Sequence, residues 1–153
     1  MIEVRENKFG KCVYATEQIE KGTVILSGWG YQIPHRTVHS FQVGIDKHII
    51  IDGPIQLINH SCEPNCGVFL RQGMDALEIH ALRDLEPGEE LFTDYATFEY
   101  EIKHFPGRCL CGTASCRGRI TGYKDLPYET RETYGQYIAE YLEEMETATV
   151  GVR

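Results

Sequence analysis

The sequence predicts a mainly β domain of several short strands that ends in an amphipathic helix. Three observations carry that prediction. Runs of β-branched and aromatic residues alternate with glycine-bearing turns as far as Thr93. The chain has 153 residues, enough for one domain with a single buried core. Beyond Cys116 the composition changes, and apolar residues recur at helical spacing.

The strands read in order as Cys12-Val13-Tyr14-Ala15, Thr23-Val24-Ile25-Leu26, Phe41-Gln42-Val43-Gly44-Ile45 and His48-Ile49-Ile50-Ile51. A pair follows, Val68-Phe69-Leu70-Arg71 and Ala76-Leu77-Glu78-Ile79-His80, and Gln72-Gly73-Met74-Asp75 between them predicts a hairpin. The turn Glu86-Pro87-Gly88 leads into a strand ending at Thr93. Ile19-Glu20-Lys21-Gly22 and Leu85-Glu86-Pro87-Gly88 share a turn format, too short to constitute a repeat. In the tail, Tyr134, Tyr137, Ile138, Tyr141, Leu142 and Met145 predict one helical face that packs on the core, opposite Glu140, Glu143, Glu144 and Glu146. Thr133 with Gln136 predicts its capping box, and residues 147–153 are expected to fray.

Charge and cysteine usage narrow the function classes. The formal net charge is −8, and residues 120–153 supply half of it with seven acidic and three basic side chains. Such a balance disfavours direct binding of nucleic acid, which needs clustered Lys and Arg, and suits a basic peptide partner. No apolar run is long enough to span a bilayer, and Met1-Ile2-Glu3-Val4-Arg5 does not read as a signal peptide. The expectation is an intracellular protein without membrane contact, in which six cysteines suit metal ligation better than disulfides. Cys109, Cys111 and Cys116 supply three ligands of a tetrahedral site, and the fourth must come from elsewhere. Cys12, Cys62, Cys66, His60 and His104 are the candidates.

The stretch Asn59-His60-Ser61-Cys62-Glu63-Pro64-Asn65 concentrates polar and nucleophilic side chains in seven positions, stiffened by one proline. Downstream lie Glu90-Leu91-Phe92-Thr93-Asp94-Tyr95 and the cysteine cluster. His60 and Cys62 stand too close in sequence to imply the facing nucleophile and base of a hydrolase.

In this order and spacing, over roughly residues 8–118, the three segments resemble the SET domain family of protein-lysine methyltransferases with its zinc-binding post-SET tail. The resemblance implies a SET-type fold of small sheets in which 59–65 and 90–95 form a pseudoknot. It divides the chain into a SET domain at 1–106, a post-SET segment at 107–123 and a helical extension at 124–153. It also implies S-adenosylmethionine as cofactor and one structural zinc ion held by Cys62, Cys109, Cys111 and Cys116. Tyr95 is implied as the catalytic residue, also touching cofactor. Asn59 and His60 are implied at the two ends of the cofactor, with Leu110 covering it. Phe41, Thr93 and Phe98 are implied as walls of the substrate channel.

Five positions depart from the family pattern. Gly10-Lys11-Cys12 stands where the family has Gly-x-Gly beside the cofactor, which requires Cys12 to keep a negative φ. Ser27-Gly28 replaces a common Glu-Tyr, so Trp29 is the candidate for the missing aromatic contact. Thr93 replaces a larger aromatic residue, leaving room for an amine that already carries a methyl group and so for di- or trimethylation. Phe41 removes one channel hydroxyl. The implied function is methyl transfer to a lysine of a basic protein such as a histone tail, by a monomer or homodimer, nuclear in a eukaryote or cytoplasmic in a bacterium. The alternative is an inactive SET-like, zinc-stapled binding module.

Overall fold

The computed structural model describes residues 1–71, 73–105 and 107–151. In chain order the strands are β1 (Ile2–Asn7), β2 (Gly10–Ala15), β3 (Val24–Trp29), β4 (Tyr31–Ile33) and β5 (Phe41–Gly44). They continue as β6 (Lys47–Ile50), β7 (Asn59–His60), β8 (Cys66–Leu70), β9 (Ala76–Ala81) and β10 (Phe92–Thr93). Helices α1 (Tyr128–Tyr134) and α2 (Glu140–Gly151) close the chain.

These strands make four small sheets: the β1-β2 hairpin, the order β3-β9-β8, the order β4-β6-β5, and β10 beside β7. The expected hairpin is present as antiparallel β8 and β9, although Gln72 of its turn lies outside the described residues. Strand β1 lies outside the strands its sequence predicts, because its side chains are mostly exposed and show no apolar alternation. Pairing with β2 makes it a strand, through a tight turn at Lys8 and Phe9 that closes at Gly10 with φ 109°.

Val13, Ile49, Leu77, Ile79, Leu85 and Leu91 form the centre of the core, each no more than 1% exposed. The two similar turn phrases meet there. Ile19 and Leu85 exchange backbone hydrogen bonds of 3.0 and 2.8 Å. Gly22 N–H donates to Ala81 O, and Gly88 N–H donates to Ala15 O, both at 2.8 Å. Both glycines sit near φ 90°, a backbone state that side chains disfavour, which is why each phrase ends in glycine.

The tail differs from the predicted single helix. Gly135 adopts φ 53° and ends α1, a short 3-10 turn spans Gly135–Tyr137, and Ile138 is extended before α2 begins. Thr133 lies inside α1, where its hydroxyl donates to Thr130 O at 2.7 Å, so it caps nothing with Gln136. Residues 147–151 continue α2 where fraying was expected; 152–153 lie outside the described residues. The apolar stripe still reaches the core by way of the turn. Tyr137 fills the space left by Gly67, whose Cβ would come within 2.7 Å of the tyrosine ring. Tyr134 and Leu142 join a second apolar cluster that includes Ala96, so the tail packs directly behind Tyr95. No helix among the described residues is long and apolar enough to cross a membrane.

Candidate active site and metal centre

Strands β7 and β10 run parallel, pairing Phe92 with Asn59 and Thr93 with His60. This brings the two motif segments that the resemblance interlocks side by side. Asn65 fastens them: its Nδ2 donates to Glu90 O, and its Oδ1 accepts from Phe92 N–H, both at 2.8 Å. Asn59 Nδ2 donates to Glu90 Oε1 at 2.9 Å and to Cys12 Sγ at 3.2 Å. Only glycines have positive φ among the described residues, so Cys12 meets the backbone condition set by its position.

His60 links this pair to the sulfur cluster. Its Nδ1 accepts the Tyr95 N–H at 3.2 Å, and its Nε2 lies 3.5 Å from Cys62 Sγ. Burial pushes the imidazole down to about 4 despite the nearby Asp94 carboxylate, so the ring is neutral at neutral pH. With Nδ1 accepting, the proton resides on Nε2 and faces the Cys62 sulfur.

Cys62, Cys109, Cys111 and Cys116 place their Sγ atoms within 4.8 Å of one another, with Cys62 and Cys109 3.9 Å apart. Metal–sulfur bonds of roughly 2.3 Å in a tetrahedron put sulfurs about 3.8 Å apart, so four thiolates so arranged fit a metal ion. Backbone N–H groups already point at the sulfurs, Arg117 to Cys62 and Gly118 to Cys116, each at 3.4 Å. Burial pushes the metal-free Cys62 thiol up to about 12, an unfavourable setting for a thiolate that a cation would reverse. The other two cysteines stand apart: Cys66 belongs to the main core, and Cys12 meets Asn59.

Two cavities meet at Tyr95. An open cleft of about 450 Å³ is lined by Phe9, Asn59, His60, Glu90, Tyr95, Phe105 and Leu110, with Cys109 and Cys111 at its floor. A narrow pocket of about 30 Å³ has aromatic walls at Phe41, Tyr95, Phe98 and Phe105, and polar groups at Arg36, His39, Glu99 and Glu101. Tyr95 and Phe105 line both, with ring centroids 5.4 Å apart. The Tyr95 hydroxyl donates to Ile58 O at 3.0 Å, and burial holds its phenol above the usual tyrosine range. It is therefore a neutral hydroxyl at neutral pH.

Asp94, 1% exposed, anchors the segment from behind. It accepts two hydrogen bonds from the Arg117 guanidinium at 2.8 and 2.9 Å, one from the Tyr134 hydroxyl at 2.7 Å and one from Ala96 N–H at 3.1 Å. The cysteine-bearing segment, the helical tail and the Tyr95 turn thus converge on one carboxylate.

Several expected site residues stand elsewhere. Trp29 ends β3 opposite Ala76, is 70% exposed and lines neither cavity, so it supplies no aromatic wall to the cleft. The adjacent Gly28 packs on Ile51, whose Cγ2 a Cβ there would meet at 2.6 Å. A tyrosine therefore has no room at that position. Thr93 is buried where it pairs with His60 and lines neither cavity. Gly10 and Lys11 do not line the cleft either, although Phe9 in the same turn does. Phe105, Phe9 and the Asp94 cluster carry no motif or spacing that marks them, and Glu90 opens the 90–95 motif without a role of its own. Asp94 lies inside the motif at 90–95, but no local spacing links it to Arg117 or to Tyr134.

The family model described as "SET domain" matches residues 10–96. A Neurospora crassa histone-lysine N-methyltransferase, H3 lysine-4 specific, is 35% identical over 129 residues, covering 69% of this chain and 10% of that protein. The H3 lysine-9 specific dim-5 enzyme of the same organism is 39% identical over 85 residues, covering 46% of this chain and 26% of that protein. Among solved structures, KRYPTONITE in complex with mCHG DNA and SAH matches with TM-score 0.61 at 25% identity, covering 78% of this chain and 28% of that one. The chain thus spans about a tenth of the first relative's length and about a quarter of the second's.

Proposed function

The chain belongs to the SET domain family, and from that premise we propose that it is an S-adenosylmethionine-dependent protein-lysine N-methyltransferase acting on a basic protein such as a histone tail. The observation that carries this reading is the meeting of an open cleft and a narrow aromatic pocket at Tyr95. Asn59, His60 and Leu110 hold the cofactor in the cleft, while Phe41 and Phe98 flank the substrate side chain in the pocket. When bound, the cofactor supplies a methyl group activated on a sulfonium sulfur.

The chain's own task is to present a neutral amine. A lysine amine has a pKa near 10.4, so at neutral pH only about one in a thousand is free to attack, a barrier of roughly 4 kcal/mol. The aromatic pocket lowers that pKa by desolvation. The Tyr95 hydroxyl, already oriented by Ile58 O, directs the nitrogen lone pair along the line into the cleft. That alignment would suit transfer of the cofactor's methyl group to the amine. Cys62, Cys109, Cys111 and Cys116 hold one zinc ion as a structural staple between the motif at 59–65 and the segment that floors the cleft. Histone-lysine activity in the relatives and the acidic net charge of −8 support a basic substrate, and with it a nuclear location in a eukaryotic host.

Calorimetry of S-adenosylmethionine binding, paired with initial rates on mixed core histones, tests the reading. Tyr95→Phe is expected to bind cofactor within about threefold of the parent and to lose on the order of 10²-fold or more in rate. Equal turnover by parent and variant, or a parent that binds no cofactor, would overturn it.

A further inference from the structure

Glu99 is a buried carboxylate that the mechanism above leaves idle. It follows Tyr95 by one turn, its N–H donating to Tyr95 O at 2.9 Å, and it lines the same aromatic pocket. Only 7% of the residue is exposed. Its Oε1 accepts the Gln42 N–H at 3.1 Å. Its Oε2 has no hydrogen-bond partner among the described residues, and the nearest cation is Arg36 Nη1 at 3.9 Å. A buried charged oxygen left without a partner costs stability and calls for a functional reason.

Resting on the methyltransferase reading, we propose that Glu99 accepts the proton which the substrate lysine gives up on entering the pocket. The ammonium N–H bond breaks, and the proton joins Glu99 Oε2. The freed lone pair forms the bond to the methyl carbon, and the C–S pair stays on sulfur. The product leaves as a methylammonium ion, and Glu99 releases its proton to solvent past the exposed His39 and His104 that line the pocket. An aromatic pocket alone disfavours the ammonium but offers its proton nowhere to go.

The surroundings suit an acceptor that cycles near neutral pH. Burial pushes the Glu99 carboxyl up to about 7, against the lowering effect of Arg36 and the Gln42 N–H. Tyr95 from its own turn, Tyr141 from α2, Arg36 from the loop before β5, and His39, Glu101, Lys103 and His104 at the pocket are the titratable or charged groups facing it. Burial and nearby Glu99 hold both tyrosines above their usual range, leaving them neutral. His48 of β6 lies nearby across β5, kept below its usual value by burial and by Arg36.

The test is the pH dependence of kcat/KM for histone methylation by parent and Glu99→Gln, an isostere that keeps an oxygen for the Gln42 N–H. The parent should rise to a plateau with a midpoint near 7. The variant should lack that midpoint and climb about tenfold per pH unit, as free amine becomes available in solution, from a deficit on the order of 10²-fold at neutral pH. Arg36→Met is the second variant; it should keep the plateau and shift the midpoint upward. A Glu99→Gln profile parallel to the parent's at every pH, or an unmoved midpoint in Arg36→Met, would overturn the proton-acceptor role alone. A parent that methylates no lysine would overturn it together with the enzyme reading.

Discussion

Replacing Arg117 with Met tests whether the Asp94 carboxylate joins the cysteine-bearing segment and the tail to the Tyr95 turn. The guanidinium is 13% exposed and makes both of its bonds to a side chain that is fully buried. Removing one partner of a buried pair costs about 3–5 kcal/mol, because the other charge stays behind uncompensated. Here Tyr134 and Ala96 still donate to Asp94, which places the loss toward the lower end, about 3 kcal/mol. In a chain of this size each kcal/mol moves Tm by about 2–4 °C, so a fall of roughly 6–12 °C is expected. Circular-dichroism melting in zinc-replete buffer measures it. In an Asp94→Asn background the same substitution should cost under about 1 kcal/mol, since no unpaired charge then remains, giving a coupling of about 2 kcal/mol between the two residues. A single variant melting within about 2 °C of the parent, or equal losses in both backgrounds, would refute the idea that the pair bears the junction.

Metal analysis of the purified protein should find about one zinc ion per chain, lost in Cys62→Ser and retained in Cys66→Ser; the reverse pattern would misassign the fourth ligand. Glu99 and His60 should pull stability in opposite directions with pH. The native Glu99 carboxyl titrates near 7 against about 4.5 when unfolded, so its contribution is present below 4.5 and lost as pH rises through about 7. Glu99→Gln should therefore be more stable than the parent at alkaline pH, by up to about 3 kcal/mol, and level with it in acid, as read from urea midpoints. His60 is neutral when folded down to about 4, so its contribution holds above the ordinary histidine value of 6.5 and is lost as pH falls toward 4. A stability curve flat over that acid range would contradict its buried, neutral state.

The parts of this protein legible in its sequence are those whose chemistry needs particular side chains at close spacing. The spacing of Cys109, Cys111 and Cys116 suits metal ligation, and the family pattern nominates Cys62, which the fold carries to within 4.8 Å of the others. Strands with one apolar face, such as β9, are equally visible. Strand β1 was not, because partner pairing rather than its own pattern holds it in place. The tail misled for a related reason. Spacings of 3 and 4 record which side chains face inward, and a helix interrupted at Gly135 presents nearly the same set. Trp29 follows the Ser27-Gly28 departure, where the family pattern implies an aromatic contact, whereas the wall that both cavities share is Tyr95 with Phe105, the latter in an irregular stretch with no periodicity to mark it. The Asp94 cluster unites residues 23 and 40 positions apart, a distance over which composition and spacing are silent.

The most direct measurement is mass spectrometry of histones incubated with the protein and methyl-deuterated S-adenosylmethionine. Deuterated methyl groups on a lysine ε-amine, formed by the parent and not by Tyr95→Phe, are the predicted result. Unlabelled lysines under conditions where the cofactor is bound, or label confined to another residue type, would contradict lysine methyl transfer at the junction of the two cavities.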